Sequence, residues 1–315
     1  MPTLAEKQAQ AKAGAGAGTS NGPTPGPNAA RPSSTVASPT QAKTLFQITS
    51  LEATKTWLKC LVFGMHGAGK TEFAGTSADV VDMQNVFIVN AEKGHLTIME
   101  TDRIANKDKI FLANCDTIDQ VEQMRQWLIA HCRYRDEGNV EKLLNLSEQT
   151  GMPLNEDGSP KVFRTVVIDS LTEIQVFAMN KTLGMNNNMS LTADIPDSEW
   201  AHYNKILNRM GILMRAFRDL PMHVIFLAQE DFKQDETKKF HYQPMLMGQM
   251  AQRVSGFVDL AGFLTVETGD QGKSVRRLTI QPQNRVKAKN RMASFKKPYI
   301  DDPHMVNIAK ELGIG

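Results

Sequence analysis

The chain has 315 residues, with Lys+Arg 36 against Asp+Glu 34 and a formal net charge of +2, so bulk charge selects no partner. Hydrophobic residues make up 41% and aromatics 7%, enough for a buried core of one or two domains; collagen-like, wholly disordered and coiled-coil classes are excluded. No apolar run approaches the roughly 18 to 20 residues of a membrane span, and Met1 to Lys7 has neither a signal h-region nor a myristoylation glycine. A soluble, unanchored protein is expected. The dispersed Cys60, Cys115 and Cys132 sit among apolar residues with no CxxC pair, a pattern of buried thiols in a reducing cytoplasm rather than of a disulfide or zinc framework.

Residues 1–43 are Ala, Gly, Pro, Ser, Thr, Asn and Gln with little that is apolar and larger than alanine, and cannot repay the entropy of ordering. They read as a disordered tail ahead of a folded region over 44–315. Trp57 to Phe63 is an apolar strand, buried on both faces, that stops at a glycine-rich turn; a helix opens at Lys70. Val86 to Val89 and Lys109 to Ala113 are further strands. Thr117 with Gln120 is a capping box for a helix whose stripe is Ile118, Val121, Met124, Leu128 and Cys132. Residues 136–161 are polar and read as a surface insertion ending in a turn at Asn155 to Pro160. Thr165 to Ile168 is the most apolar short strand and ends at Asp169-Ser170. Trp200, Tyr203, Leu207, Met210, Leu213, Met214 and Phe217 mark a long amphipathic helix over 197–219, stopped by Pro221 and followed by a strand from Val224 to Ala228. Beyond it the pattern becomes β-rich: a hairpin from Phe232 to Tyr242, a helix from Gly248 to Phe257, and strands over 261–266 and 275–280. The expectation is one α/β domain of about 270 residues with a mostly parallel sheet flanked by helices and extended by antiparallel strands.

The string Gly64-Met65-His66-Gly67-Ala68-Gly69-Lys70-Thr71 fits G-x-x-x-x-G-K-[ST] between a buried strand and a helix start, the context such a loop requires. Glycines let successive N–H groups face phosphate oxygens, and the helix N-terminus adds its dipole. Lys70 then reaches the β- and γ-phosphates of ATP, and the Thr71 hydroxyl ligates Mg²⁺. Asp169, at the tip of the strand Thr165 to Ile168, is the Walker B acid that completes the magnesium site. Its neighbour is Ser170 rather than glutamate, so the base that activates water must come from elsewhere. Glu92, just past the C-terminal end of the strand from Val86, is the candidate, with a solvated loop acid as the plain alternative. Gln229 ends another strand at the same edge and offers an amide to the γ-phosphate.

Two further stretches bear on partners. After Gln229-Glu230, Phe232, Lys233, Lys238, Lys239 and further aromatics interleave with Asp231, Asp235 and Glu236, which suits stacking on single-stranded nucleic acid and suits an ordinary exposed hairpin equally. Residues 273–297 carry Lys273, Arg276, Arg277, Arg285, Lys287, Lys289, Arg291, Lys296 and Lys297 with no acid, a basic face for a nucleic-acid backbone or for phosphates on a neighbouring subunit.

From Leu58 to about Arg291 these motifs resemble the RecA-like branch of P-loop ATPases, and more narrowly the phage AAA-type ATPases related to the Sak group of single-strand annealing proteins. The resemblance rests on Gly64 to Thr71, Ala91-Glu92-Lys93-Gly94, Val167-Ile168-Asp169-Ser170, Ala228-Gln229, Pro244 to Gly248 before a helix, Val258-Asp259 and Lys287-Ala288-Lys289-Asn290-Arg291. It implies a RecA-like fold, Glu92 as hydrolytic glutamate, Gln229 as γ-phosphate sensor, and Lys289 with Arg291 acting in trans within a ring or filament. It further implies ATP-dependent binding of single-stranded DNA in phage recombination and replication in the host cytoplasm, alongside a single-strand-binding protein or other recombination proteins. The rival expectation is an ATP-driven switch or loader whose client is a protein.

Overall fold

The computed structural model describes residues 50, 57–185, 189–190, 192–194, 196–197, 199–234, 238–268, 273–283 and 285–314. The proposed tail over 1–43 lies outside them, and everything below concerns the unit Lys55–Gly315.

Strand β1, Lys59–Gly64, has Cys60, Leu61, Val62 and Phe63 all fully buried. Because side chains alternate along a strand, Cys60 and Val62 enter one core layer and Leu61 and Phe63 the other, so both faces need helices. The parallel strands β2 (Val86–Asn90), β3 (Ile110–Asn114), β4 (Thr165–Asp169) and β5 (His223–Gln234) repeat this alternation, with β7 (Leu260–Thr268) on the other side of β1. Around β1 the order is β7-β1-β5-β4-β2-β3. Strands β8 (Ser274–Thr279) and β10 (Tyr299–Asp301) extend the sheet antiparallel beyond β7; β6 (Phe240–Pro244) pairs antiparallel with β5, and the short β9 (Lys289–Asn290) with β7. This is the expected α/β arrangement of a P-loop NTPase.

One layer holds α3 (Ile118–Asp136), α5 (Leu171–Leu183), α6 (Trp200–Arg218) and α7 (Met250–Arg253); the other holds α1 (Lys70–Gly75), α2 (Leu96–Glu100) and α8 (Met305–Leu312). Helix α8 is tied to the turn after α1 by the Met305 N–H donating to Thr76 Oγ1 at 2.9 Å, and it buries Met305, Ile308 and Ala309.

Several local expectations change. Within 136–161 there is a helix, α4 (Val140–Thr150), capped by Asn139 and by Gly151 at φ +67°, with Leu143 and Leu146 turned inward; polarity on its outer face hid that pair. The Gln120 carboxamide accepts the Asp116 N–H at 2.7 Å while Thr117 caps Gln120, so the box is displaced by one residue. Trp200 is 79% exposed and Tyr203 is exposed too, so the α6 stripe is buried only from Ile206 onward. The stretch from Gly248 splits: that glycine takes φ +51°, outside the helical region, and α7 gives way to a 3₁₀ turn over Val254–Phe257. Residues 235–237 lie outside the described residues; on either side of them the expected strands pair, with Phe232 opposite Tyr242 and Lys233 opposite His241. The three cysteines are free and buried, and burial raises the Cys60 and Cys115 thiols to about 12 and Cys132 to about 11.

His131 of α3 stacks on Trp127 with ring centroids 5.2 Å apart and packs against Phe163; burial lowers its pKa to about 4. Below about pH 6.5 the unfolded chain takes up a proton that the folded ring refuses. Stability should therefore fall as pH drops from about 6.5 towards 4, by up to about 3 kcal/mol from this group. In urea titrations across that range, His131→Phe should flatten the dependence; an unchanged slope would show that His131 does not carry it.

Candidate active site

The end of β1 is crowded. A Cβ at Gly64 would lie 2.2 Å from the Leu264 carbonyl oxygen of β7, so only glycine fits there. The loop then turns through Gly67 and Gly69 at φ +76° and +92°, which side chains with a Cβ rarely adopt. With Met65, His66 and Ala68 between them, these residues lead directly into α1, whose first hydrogen bond runs from the Phe73 N–H to the Gly69 carbonyl at 2.8 Å. Lys70 Nζ donates to the carbonyls of Gly64 and Met65 at 2.9 and 2.8 Å. Burial lowers the Lys70 pKa, and Glu92, Asp169 and Glu230 oppose that effect. The ammonium is thus held by the loop's own carbonyls, and carboxylates from three neighbouring segments favour its charge.

Asp169, at the end of β4, is buried; Thr71 Oγ1 donates to its Oδ2 at 2.7 Å, and Oδ1 has no partner among the described residues. Burial raises its pKa to about 6, with the Thr71 hydrogen bond and Lys70 acting the other way. A buried, half-satisfied carboxylate beside a hydroxyl is a donor set that suits a hard cation such as Mg²⁺, which takes few protein ligands and keeps the rest for phosphate and water.

Glu92 follows β2 and is placed by β4: its own N–H and that of Ala91 donate to the Asp169 carbonyl at 3.1 and 2.6 Å. Its Oε1 accepts from Ser170 Oγ and, at 3.1 Å, from Gln229 Nε2. Gln229 lies opposite Gly64 in the β1–β5 register, and its N–H is fixed by Thr172 Oγ1 at 3.0 Å. Three residues drawn from separate stretches of sequence, Glu92, Ser170 and Gln229, therefore form one hydrogen-bonded group beside the loop. With His66, Gly67, Gly69, Lys70 and Thr71, both Glu92 and Gln229 line a cleft of about 660 Å³, within the usual size range for a small-molecule site.

The other candidates separate. Lys289 Nζ donates to the carbonyls of Ser255 and Val258 at 2.7 and 2.9 Å. Lys289 pairs with Ala261, three residues before the Leu264 that abuts Gly64, and Arg291 lies lower still, its N–H on the Asp259 carbonyl and its guanidinium 3.5 Å from that carboxylate. At about 3.3 Å per residue both sit roughly 10 Å or more down the sheet from their own loop. Arg277 is neutralised by Glu267 and Asp301, each at 2.7 Å, and lies over the Tyr299 ring. Arg276 instead turns into the cleft. Lys287 donates to Gln243 at 2.8 Å. Arg276, Arg277, Lys287, Lys289 and Arg291 thus each have a different partner. In the hairpin, Phe232 and Phe240 are exposed and stacked, Lys233 pairs with Asp231 at 3.1 Å, and Lys238 takes φ +61°.

Two residues gain a place that the sequence reading does not give them: Glu230, near Lys70, has no role there, and Arg276, at the cleft, is read only as part of a basic face. Glu230 has a buried Oε2 without a partner among the described residues, and burial raises its pKa against the pull of Lys70. Its only sequence signal was adjacency to Gln229. Arg276 is expected on a face for nucleic acid or for a neighbour's phosphates, and nothing in the sequence aims it at its own loop, since its direction depends on the β7–β8 register.

No helix among the described residues is long and apolar enough to cross a membrane. No curated protein matches the chain. A family model described as an AAA domain matches residues 56–292, which includes the loop, the strand ends that carry Glu92, Asp169 and Gln229, and the strand pair β7–β8. The chain belongs to this AAA-domain family of P-loop ATPases, whose members bind and hydrolyse ATP.

Proposed function

We propose that this ATPase binds Mg·ATP over Gly64 to Thr71, hydrolyses it with Glu92 as base, and uses the cycle to control its grip on single-stranded DNA in phage-type recombination or replication. One observation carries the reading: β5 passes Gln229 beside the loop and continues without a break into the hairpin that bears the exposed aromatics. There Phe240 stacks on Phe232 at 4.9 Å, Phe232 meets Tyr242 at a tilt at 4.7 Å, Tyr242 stacks on Phe263 at 4.9 Å, and Phe263 on Phe63 of β1 at 5.2 Å. A column of rings joins the nucleotide strand to a tip where the outer face of Phe240 is offered to a stacking base, with Lys238 and Lys239 for phosphates.

In the chemical step a water oxygen attacks the γ-phosphorus, the bond to the β–γ bridging oxygen breaks, ADP leaves, and the Glu92 carboxylate takes the water proton. Lys70 meets the β- and γ-phosphate oxygens. Thr71 and Asp169 would hold Mg²⁺, which when bound neutralises charge on those same oxygens. The Gln229 amide gives one N–H to Glu92 and has a second for a γ-phosphate, so a phosphate that draws on it also draws on the start of the hairpin. Lys289 and Arg291 are out of reach of their own nucleotide, so any contact they make with ATP is with a second copy's, in a ring or filament.

Lys70→Ala should abolish ATP binding by calorimetry, while Glu92→Gln should bind ATP and hydrolyse it at least about a hundredfold more slowly. Hydrolysis by Glu92→Gln at the parental rate would remove the base assignment. With a non-hydrolysable analogue present, the Phe232→Ala, Phe240→Ala double variant should bind a labelled oligonucleotide about tenfold or more weakly. A parent that binds no oligonucleotide in any nucleotide state would instead favour a protein client. Activity per chain should rise with protein concentration and be lost in Arg291→Ala; a rate independent of concentration would argue against a finger supplied in trans.

A further inference from the structure

Arg276 reaches the nucleotide loop of its own chain. It lies opposite Val266, two residues beyond Leu264, so that it projects past the level of Gly64 at the edge where the loop turns. A Cβ at Gly69 would be 2.8 Å from Arg276 Nε and 3.1 Å from Cζ, so the guanidinium rests on the glycine that opens α1. Its Nη1 donates to Glu72 Oε1, and no other hydrogen bond of this guanidinium occurs among the described residues. Glu72 is 4% exposed and gives the same oxygen to Arg103 Nη1 at 2.9 Å. Arg103 in turn is held by Asp302 Oδ1 and the Pro303 carbonyl, both at 2.9 Å. Arg276 therefore shares its single carboxylate with a second arginine, and its remaining donors border the cleft.

We infer that Arg276 is a nucleotide ligand in cis, contacting the α- and β-phosphate side of the bound nucleotide, with Glu72 and Arg103 as positioning residues. The inference rests on the nucleotide reading of the cleft. The loop amides around Gly69 cradle the α- and β-phosphates, whereas Lys70 reaches β and γ. A guanidinium lying on Gly69 is on the α/β side, and its planar fork suits phosphate oxygens. A shared buried carboxylate leaves positive charge that a phosphate would balance. Because the contact does not involve the γ-phosphate, it serves ADP and ATP alike, which distinguishes it from a γ-directed finger. The buttress includes Asp302 and Pro303, which lie past residue 292 where the family match ends, so the turn between β10 and α8 supports the nucleotide site.

Calorimetry with ADP and with ATP on the full chain tests this. Arg276→Ala should weaken both by the same factor, about ten- to a hundredfold for a lost charge-assisted contact, and Arg276→Lys should recover part of it. In the unmodified protein, saturating ADP should slow phenylglyoxal modification of Arg276, read by mass spectrometry, but leave that of Arg133 unchanged. If the parent binds neither nucleotide, the reading of the cleft fails. If the parent binds both but Arg276→Ala matches it within twofold, or Arg276 modifies equally fast with and without ADP, the inference fails and the cleft reading stands. A loss confined to ATP would overturn the α/β placement.

Discussion

Gly64 is pressed against the Leu264 carbonyl so closely that a methyl group there would sit 2.2 Å from the oxygen. That contact fixes β7 beside the end of β1, and much of the site follows from it. With β7 in place, β8 pairs at its far side and Arg276 hangs over Gly69; on the other flank β5 brings Gln229 level with Gly64. The loop is thus framed by two strands whose distances from it are set by backbone packing rather than by flexible side chains. A site for a triphosphate needs such a frame, since the loop's N–H groups gain most when they are already aimed at the anion.

The charges around the loop are arranged in opposition. Lys70 is largely withdrawn from water, which works against its charge, and three carboxylates, Glu92, Asp169 and Glu230, work to keep it. Burial pushes Asp169 and Glu230 up towards the protonated form. Both have an oxygen without a partner among the described residues. A buried acid with an unused lone pair is costly by itself, and a bound cation or a substrate proton relieves that cost. Glu92 differs in having two donors on one oxygen, Ser170 and Gln229, which orient it without filling its other oxygen.

The parts of the site that depend on local chain chemistry were legible in sequence. Gly67 and Gly69 are needed for positive φ, Lys70 and Thr71 follow them at a helix start, and Asp169 and Gln229 end runs of apolar residues. Parts that depend on register or on one side chain's direction were not. Nothing in Lys273 to Lys297 distinguishes Arg276, which enters the cleft, from Arg277, which is closed off by Glu267 and Asp301. Adjacent residues on a strand point to opposite faces, and which face meets the loop is decided by the pairing of β8 with β7. Helix α4 failed for another reason: its apolar contribution is Leu143 with Leu146, too narrow a stripe to stand out among polar neighbours, although Asn139 and Gly151 marked both ends. Helix α5 is apolar on several faces because it is packed within the main core layer, so it shows no clear period.

The most direct measurement of the central claim, that the backbone after β1 grips the phosphates of a nucleotide, is calorimetric titration of the full chain with ADP and with AMP in magnesium buffer. The account predicts one ADP per chain, bound at least about a hundredfold more tightly than AMP, because the loop amides and Lys70 hold the β-phosphate. Absence of heat with ADP, or equal affinity for the two nucleotides, would contradict it.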